Sequence, residues 1–433
     1  MKTDYLIIGA GPAGINAVEG IRYFDKRGKI TVVTSESIGG YSKPMISYYL
    51  AGKAGKEDMF MRPREFYGKH KVQLLLNREV VSLSAPGKKA VLADASAVHF
   101  KKLLIASGGR PVVPPVEGVE KIRGGFFTFT TAADAEGLIR YAEKNKVKNA
   151  VVLGGGLIGL KCTEGLLGRG IKVSVVELAD RVLSNTFDSR ASSILERNLK
   201  NAGCQVYKKD TVKKAKTDSS GALEKICLKS GKIIPAKLLI AAVGVAPAIG
   251  FLKNSGVKTG RGVIVDEYLK TNADGIYAAG DAAECGDFLS GGNSVLAIWP
   301  AAARTGRIAG INMTSRRKIK YEGGFIMNSV EIAGVPTISF GLSAAAPPGS
   351  EVLEKYVPEK NEYRKIVLSE NRIVGAIFVG NIERAGIFSG IIRDRLDVSG
   401  FKDKLLNDDF GLLILPEDYR KRKIKTPEIS VFN

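Results

Sequence analysis

Histidine and cysteine are scarce in this chain of 433 residues. There are two histidines, His70 and His99, and four cysteines, Cys162, Cys204, Cys227 and Cys285. No two cysteines form a Cys-x-x-Cys or similar pair, so neither a zinc-site nor a dithiol motif is supported. The cysteines read as small buried hydrophobes, and no metal site is expected. No run of about 18 apolar residues occurs, which excludes a membrane-spanning helix. The chain passes from Met1-Lys2-Thr3-Asp4 straight into the strand-like Tyr5-Leu6-Ile7-Ile8, leaving no room for a signal peptide. A cytoplasmic location is expected on that ground. Carboxylates are outnumbered, with 44 Asp+Glu against 65 Lys+Arg and a net charge of +21. Such a field attracts anionic partners (an acidic protein, nucleic acid or a membrane surface) or simply keeps the chain dissolved.

The composition, 45% hydrophobic and 25% charged, is that of a globular protein, and the length suggests two or three domains. No tandem repeat of short period is visible. What recurs is a larger unit of apolar strand, glycine-rich turn, helix and second strand ending in a carboxylate, at residues 3–36 and again at 149–177. In the first, Gly9-Ala10-Gly11-Pro12-Ala13-Gly14 follows Leu6-Ile7-Ile8, and Glu36 lies 22 residues beyond Gly14. Gly9 permits a tight turn, Gly11 lets the backbone approach a pyrophosphate, and Gly14 lets helix and strand pack closely. The helix that follows points its positive end at the phosphates, and Glu36 suits a ribose diol. In the second, Gly154-Gly155-Gly156-Leu157-Ile158-Gly159 leads through a strand to Glu177. A glutamate there accepts two ribose hydroxyls and repels a 2′-phosphate, which favours NAD(H) over NADP(H). Arg181, close by, could soften that preference.

The apolar runs Lys102 to Ser107 and Lys237 to Ala242 each lead into glycine and then proline, as buried strands leaving a sheet do. Arg110-Pro111-Val112-Val113-Pro114-Pro115 is a stiff crossover. After the basic string Ser315-Arg316-Arg317-Lys318-Ile319-Lys320 the pattern turns to short alternating strands, an α+β domain of its own.

A third motif, Thr271 to Asp281, reads TNADGIYAAGD, and the turns Ala106-Ser107-Gly108-Gly109-Arg110-Pro111 and Ala242-Val243-Gly244-Val245-Ala246-Pro247 flank the second unit. With the two fingerprints they resemble, in order and over nearly the whole chain, the pyridine nucleotide–disulfide oxidoreductase class. The likeness is to its NADH:rubredoxin reductase and ferredoxin reductase-like branch. The resemblance implies an α/β fold with two Rossmann-type dinucleotide-binding domains (glutathione reductase-like) and a C-terminal α+β interface domain. It divides the chain into a discontinuous FAD domain (1–112 and 246–320), an NAD(H) domain (113–245) and an interface domain (321–433). Carried over, the FAD contacts are Gly9, Gly11, Pro12, Ala13, Gly14, Glu36, Lys43, Pro44, Ala106, Ser107, Gly108, Arg110, Gly280, Asp281, Pro300 and Ala301. Those for NAD(H) are Gly154, Gly156, Leu157, Ile158, Gly159, Glu177, Val243 and Gly244. The turn at Trp299 would start a helix beside the flavin ring, Trp299 itself reading as a packed aromatic.

Departures from the pattern matter as much. The disulfide-reducing branches carry a redox cysteine pair after the first unit, where this chain has Gly39 to Ser47 without sulfur nucleophile. The oxidase and peroxidase branch expects a cysteine at Pro44 and a histidine at Pro12. Peroxide, CoA-disulfide and dithiol chemistry therefore lack their thiolate. Lys43 stands where the branch pattern has arginine. Lys161 stands where a helix glutamate is usual, with Tyr48 at the position of its customary lysine partner. Lys161 reads either as a solvated helix lysine or as the sole positive charge near the flavin.

Three functions follow from the resemblance. One is electron transfer between NAD(H) and an acidic iron–sulfur carrier, ferredoxin-like or rubredoxin-like. Overall likeness to clostridial-type flavoproteins that accompany carbon monoxide dehydrogenase narrows this to electrons flowing from such a carrier to NAD+. The others are a cysteine-independent NADH oxidase and a redox-sensing nucleic-acid-binding flavoprotein. Basic runs at 419–425 and 316–320 are candidate docking segments.

Overall fold

A computed structural model describes residues 1–314 and 318–425. Strand Lys2–Ile8 lies in parallel between Ile30–Val33 and Ala97–Ile105, and Val72–Leu75 extends the sheet beyond Ile30–Val33. Leu6, Ile7, Leu103, Leu104 and Ile105 are fully buried. Parallel strands covered on both faces need near-continuous apolar runs, and these residues supply them. Strand Ile276–Ala278 returns from far along the chain to pair with Ala97–Ile105, completing seven strands.

A second sheet, entirely parallel, has the order Gln205–Lys208, Lys172–Glu177, Asn149–Leu153, Leu238–Ala241, Phe126–Thr128. A three-stranded antiparallel sheet (Val212–Thr217, Leu223–Leu228, Ile233–Pro235) packs Leu223 and Ile226 against its Val151 and Leu239. The chain crosses between the two units through paired strands, Gly109–Pro111 and Val245–Pro247. Helix Ile46–Leu50 of the first unit and helix Leu157–Gly168 of the second meet at close range. A Cβ on Gly165 would stand 2.7 Å from the Leu50 side chain.

The C-terminal part is a five-stranded antiparallel sheet ordered Met327–Ile332, Val335–Gly341, Arg372–Val379, Glu362–Ser369, Glu351–Val357. Helix Gly386–Arg393 lies over it, with Phe388 5.0 Å from Phe378 and 5.1 Å from Phe410. Each fully buried aromatic of this kind contributes about 1.5–3 kcal/mol. The fold is thus two Rossmann-type units and a C-terminal sheet domain. No helix among the described residues is long and apolar enough to cross a membrane.

Candidate functional site

The two glycine turns have nearly the same geometry. Gly9 takes φ +111°, and a Cβ there would fall 2.0 Å from the Ala106 carbonyl oxygen. Gly154 takes φ +112°, and its Cβ would fall 2.3 Å from the Ala242 carbonyl oxygen. Each turn is therefore pressed against the end of a neighbouring strand, and only glycine fits. Gly14 and Gly159 repeat the likeness, each with a hypothetical Cβ 2.0 Å from the carbonyl of the first glycine. Gly11 and Gly156, in contrast, face open space and N-cap helices Pro12–Phe24 and Leu157–Gly168 without any side-chain cap. The first N–H groups of both helices are thereby left to an anion.

Around the first turn the structure gathers most of the residues singled out in the sequence. Gly280, at φ +68°, packs between Ala13 and Ala302, and its N–H donates to Thr305 Oγ1 at 3.0 Å. Burial pushes the Asp281 carboxyl above its ordinary value, opposed by the nearby Lys43 ammonium. Ser107 Oγ is buried without a hydrogen-bond partner among the described residues, and a Cβ on Gly108, at φ +70°, would point into open space. An unsatisfied hydroxyl beside an open glycine turn and a buried carboxylate fits a polar cofactor such as FAD. Glu36 is already engaged: it accepts from the Tyr41 hydroxyl and from Lys43 Nζ at 3.0 Å. Lys43 also donates to the Thr130 carbonyl at 3.1 Å, so a phosphate there would have to compete for it. Pro12 and Ala13 open the first helix, Pro300 and Ala301 open helix Trp299–Met313, and Pro44 is exposed beside Lys43. Arg110 is exposed on the crossover strand, opposite Ala246.

At the second turn, both Glu177 oxygens accept backbone N–H groups, Gly155 at 2.6 Å and Ala179 at 2.7 Å. Leu157 and Ile158 are half-buried in the first helical turn, and Val243 and Gly244 (φ +120°) are open to an incoming ligand. Arg181 is engaged within its own loop. Its guanidinium pairs with Asp180 at 2.9 Å and donates to the Phe187 and Ser184 carbonyls, both at 3.3 Å.

Lys161 sits where three parts of the chain converge. Its ammonium lies 5.2 Å from the centre of the Tyr48 ring and donates to the Glu331 carbonyl at 3.2 Å. Glu164, one helical turn on, pairs with it at 2.5 Å. Trp299 departs from expectation. It is 42% exposed rather than packed, at the head of the helix, with the Met61 sulfur 3.4 Å from its Nε1.

Three cysteines, Cys162, Cys204 and Cys285, are buried and Cys227 is half-buried. Burial pushes Cys204 and Cys285 up to about 11 and Cys162 further. No cluster of potential metal ligands occurs among the described residues. Of the basic run at 316–320, Arg316 and Arg317 lie outside the described residues. Lys318 is bound to the Asn312 carbonyl at 3.0 Å and Lys320 to Glu267 at 2.7 Å. The sequence reading missed the close contact of the first helix with Trp299–Met313. A spacing of small residues (Ala302, Gly306, Gly310) was its only signal.

Residues 3–306 match the family model "Pyridine nucleotide-disulphide oxidoreductase", and residues 327–396 the "Rubredoxin NAD+ reductase C-terminal domain". The chain is 32% identical to the NADH-dependent phenylglyoxylate dehydrogenase subunit epsilon of Aromatoleum evansii, over 93% of this chain and 94% of that one. It is 29% identical to an NADH oxidase of Methanocaldococcus jannaschii over 87% of each. Some relatives are longer: the chain spans 48% of a nitrite reductase of Bacillus subtilis. A chain of the covalent putidaredoxin reductase–putidaredoxin complex superposes with a TM-score of 0.83 over 91% of this chain and 94% of its own. At 24% identity, that likeness concerns the fold alone.

Proposed function

The chain belongs to the pyridine nucleotide-disulphide oxidoreductase family, and on that premise we propose that it passes electrons between NAD(H) and an acidic iron–sulfur protein by way of FAD. That it is an oxidoreductase using FAD and a nicotinamide dinucleotide follows from membership; the acceptor and the roles of single residues are our reading. The observation that carries it is the doubled glycine turn at Gly9 and Gly154, joined to a chain with no placed thiol.

The residues divide the work. Gly11 and Gly156 leave room for two pyrophosphates, at helix ends whose N–H groups are uncapped. Asp281 and Ser107 offer hydrogen bonds to the flavin cofactor from within the protein. Glu177, with Arg181 tied elsewhere, selects NADH over NADPH by repelling a 2′-phosphate. Lys161, steadied by Tyr48 and Glu164, places an ammonium at the junction of the units, where the Glu164 carboxylate offsets much of the positive charge it would offer a reduced flavin. Bound FAD supplies the conversion between a two-electron hydride and single electrons.

The acceptor is argued by exclusion and by kinship. A disulfide acceptor would need a thiolate from this chain beside the flavin, and the segment Gly39 to Ser47, where the disulfide-reducing branches carry it, holds no cysteine. The C-terminal match bears the name of rubredoxin reductases, and the Aromatoleum relative is named as a subunit of an NADH-dependent dehydrogenase. A net charge of +21 favours an acidic protein at the docking step. Within this reading, electrons run from the iron–sulfur protein to NAD+, as beside a carbon monoxide dehydrogenase. The name of the Methanocaldococcus relative supports a second reading, direct reduction of oxygen. The purified flavoprotein separates the two. Fast reduction of NAD+ by reduced ferredoxin or rubredoxin, falling with salt, is expected. Rapid NADH consumption that needs only oxygen would replace the first reading with the second.

A further inference from the structure

The loop 178–188 joins the candidate dinucleotide turn to the C-terminal domain. At one end Ala179 N–H donates to Glu177, and Leu183 N–H donates to the Gly155 carbonyl at 2.9 Å. Leu183 is held at φ +56°, a left-handed conformation unfavourable for leucine, with Val182, Leu183 and Phe187 all buried around it. Such a conformation persists only where its surroundings over-determine it. At the other end stands Asp188. One of its oxygens caps helix Ser189–Asn201 through Ala191 N–H at 3.0 Å. The other accepts from Lys365 at 3.1 Å and from the Tyr363 hydroxyl at 2.8 Å. Lys365 is buried and Asp188 largely so, their side chains 8% and 14% exposed. Lys365 and Tyr363 belong to the C-terminal strand Glu362–Ser369.

We propose that Lys365 is a positioning residue for the nicotinamide dinucleotide: through Asp188 it fixes the loop whose other end orders Glu177 and Gly155. A buried pair that spans two domains is a poor stabiliser in itself, because desolvating both charges offsets most of their attraction. Its consequence is geometric. With the anchor in place the loop enters binding already ordered; without it, part of the binding energy goes into ordering the loop. The C-terminal domain thereby acts on the NADH site without touching the dinucleotide.

The inference rests on the reading that Glu177 and the Gly154 turn hold NAD(H), and the test separates the two. Lys365→Met alone leaves a buried carboxylate unpaired and can fail to fold. The double variant Asp188→Asn/Lys365→Met removes both charges, and asparagine keeps the helix cap. NAD+ binding to the FAD-loaded proteins is measured by calorimetry, and steady-state NADH turnover with a one-electron dye alongside it. The double variant should bind NAD+ about fivefold more weakly, within the range of couplings carried through packed networks. KM for NADH should rise accordingly, with kcat unchanged, and Lys365→Arg should restore most of the affinity. A double variant that melts like the wild type and binds NAD+ within twofold of it overturns the inference. Wild-type protein that binds no NAD+ overturns the reading of Glu177 along with it.

Discussion

In the proposed function, the cofactor choice rests on a single side chain, Glu177. Its two oxygens already hold the Gly155 and Ala179 N–H groups, which keep the carboxylate oriented beside the turn. Replacing it with glutamine keeps the shape, removes the charge and leaves one of the two N–H groups facing the amide nitrogen. Glu177→Gln should therefore reduce the ratio of NADH to NADPH rates in flavin reduction by about tenfold, equivalent to about 1.4 kcal/mol. Stopped-flow reduction at matched concentrations measures that ratio, and an unchanged ratio would place the discrimination elsewhere. The thiols give a second prediction at this scale. With Cys204 and Cys285 pushed up to about 11, roughly one molecule in a thousand carries either thiolate at pH 8. Iodoacetamide at that pH should label Cys227 first and leave dye-linked NADH oxidation intact; loss of activity with labelling of a buried cysteine would contradict the absence of thiol chemistry. Both glycine turns were legible in the sequence, because backbone crowding admits no other residue at Gly9 or Gly154. The engagement of Arg181 was not, since its partners are loop carbonyls. The Lys161–Glu164 pair is legible as an i,i+3 spacing.

Among the elements, helices Pro12–Phe24 and Trp299–Met313 pack backbone to backbone. A Cβ on Gly306 would lie 2.1 Å from the Ala13 carbonyl oxygen, and one on Gly310 2.4 Å from that of Ala17. Gly20 answers from the other side, 2.4 Å from the Arg307 carbonyl. The contact brings Ala302 and Ala13 around Gly280, next to Asp281, so the packing of two helices shapes the candidate flavin site. Gly306→Val should cost about 3 kcal/mol or more, since backbone cannot yield as a side-chain tip can. It should also release FAD at lower temperature, read from free-flavin fluorescence on heating. Gly386→Ala, where nothing lies within 4 Å, is the control that should melt like the wild type. Flavin release by Gly306→Val at the wild-type temperature would mean that the helices do not govern the site. Sequence periodicity locates helices by their large apolar residues, and this interface is built from small ones. That is why it escaped the reading, while the apolar strands Lys2–Ile8 and Leu238–Ala241 did not. Asp188 and Lys365 lie 177 positions apart, and no local pattern joins them.

For the whole molecule, the charge of +21 sets how an acidic partner is met, and the C-terminal tail is its densest cationic segment. Residues 420–433 hold five Lys+Arg and one Glu, so their removal takes the net charge from +21 to +17. Within the described part, helix Glu417–Lys425, Lys421 pairs with Glu417 and Lys423 with Asp394, each at 2.6 Å. The side chains of Ile424 and Lys425, and residues 426–433, lie outside the described residues. Both lysines remain more than half exposed, at 59% and 52%, and such surface pairs contribute little and exchange readily with a partner's carboxylates. If the tail docks an acidic iron–sulfur protein, truncation after Tyr419 should slow partner-dependent turnover at low salt. Reduction of the flavin by NADH should be unchanged, because the paired turns at Gly9 and Gly154 are built without the tail. Raising the ionic strength from about 0.01 M to 0.15 M shortens the screening length from roughly 30 Å to 8 Å, and the full-length advantage should vanish with it. The same rate and salt slope for truncated and full-length protein would show that the remaining surface charge steers the encounter without the tail.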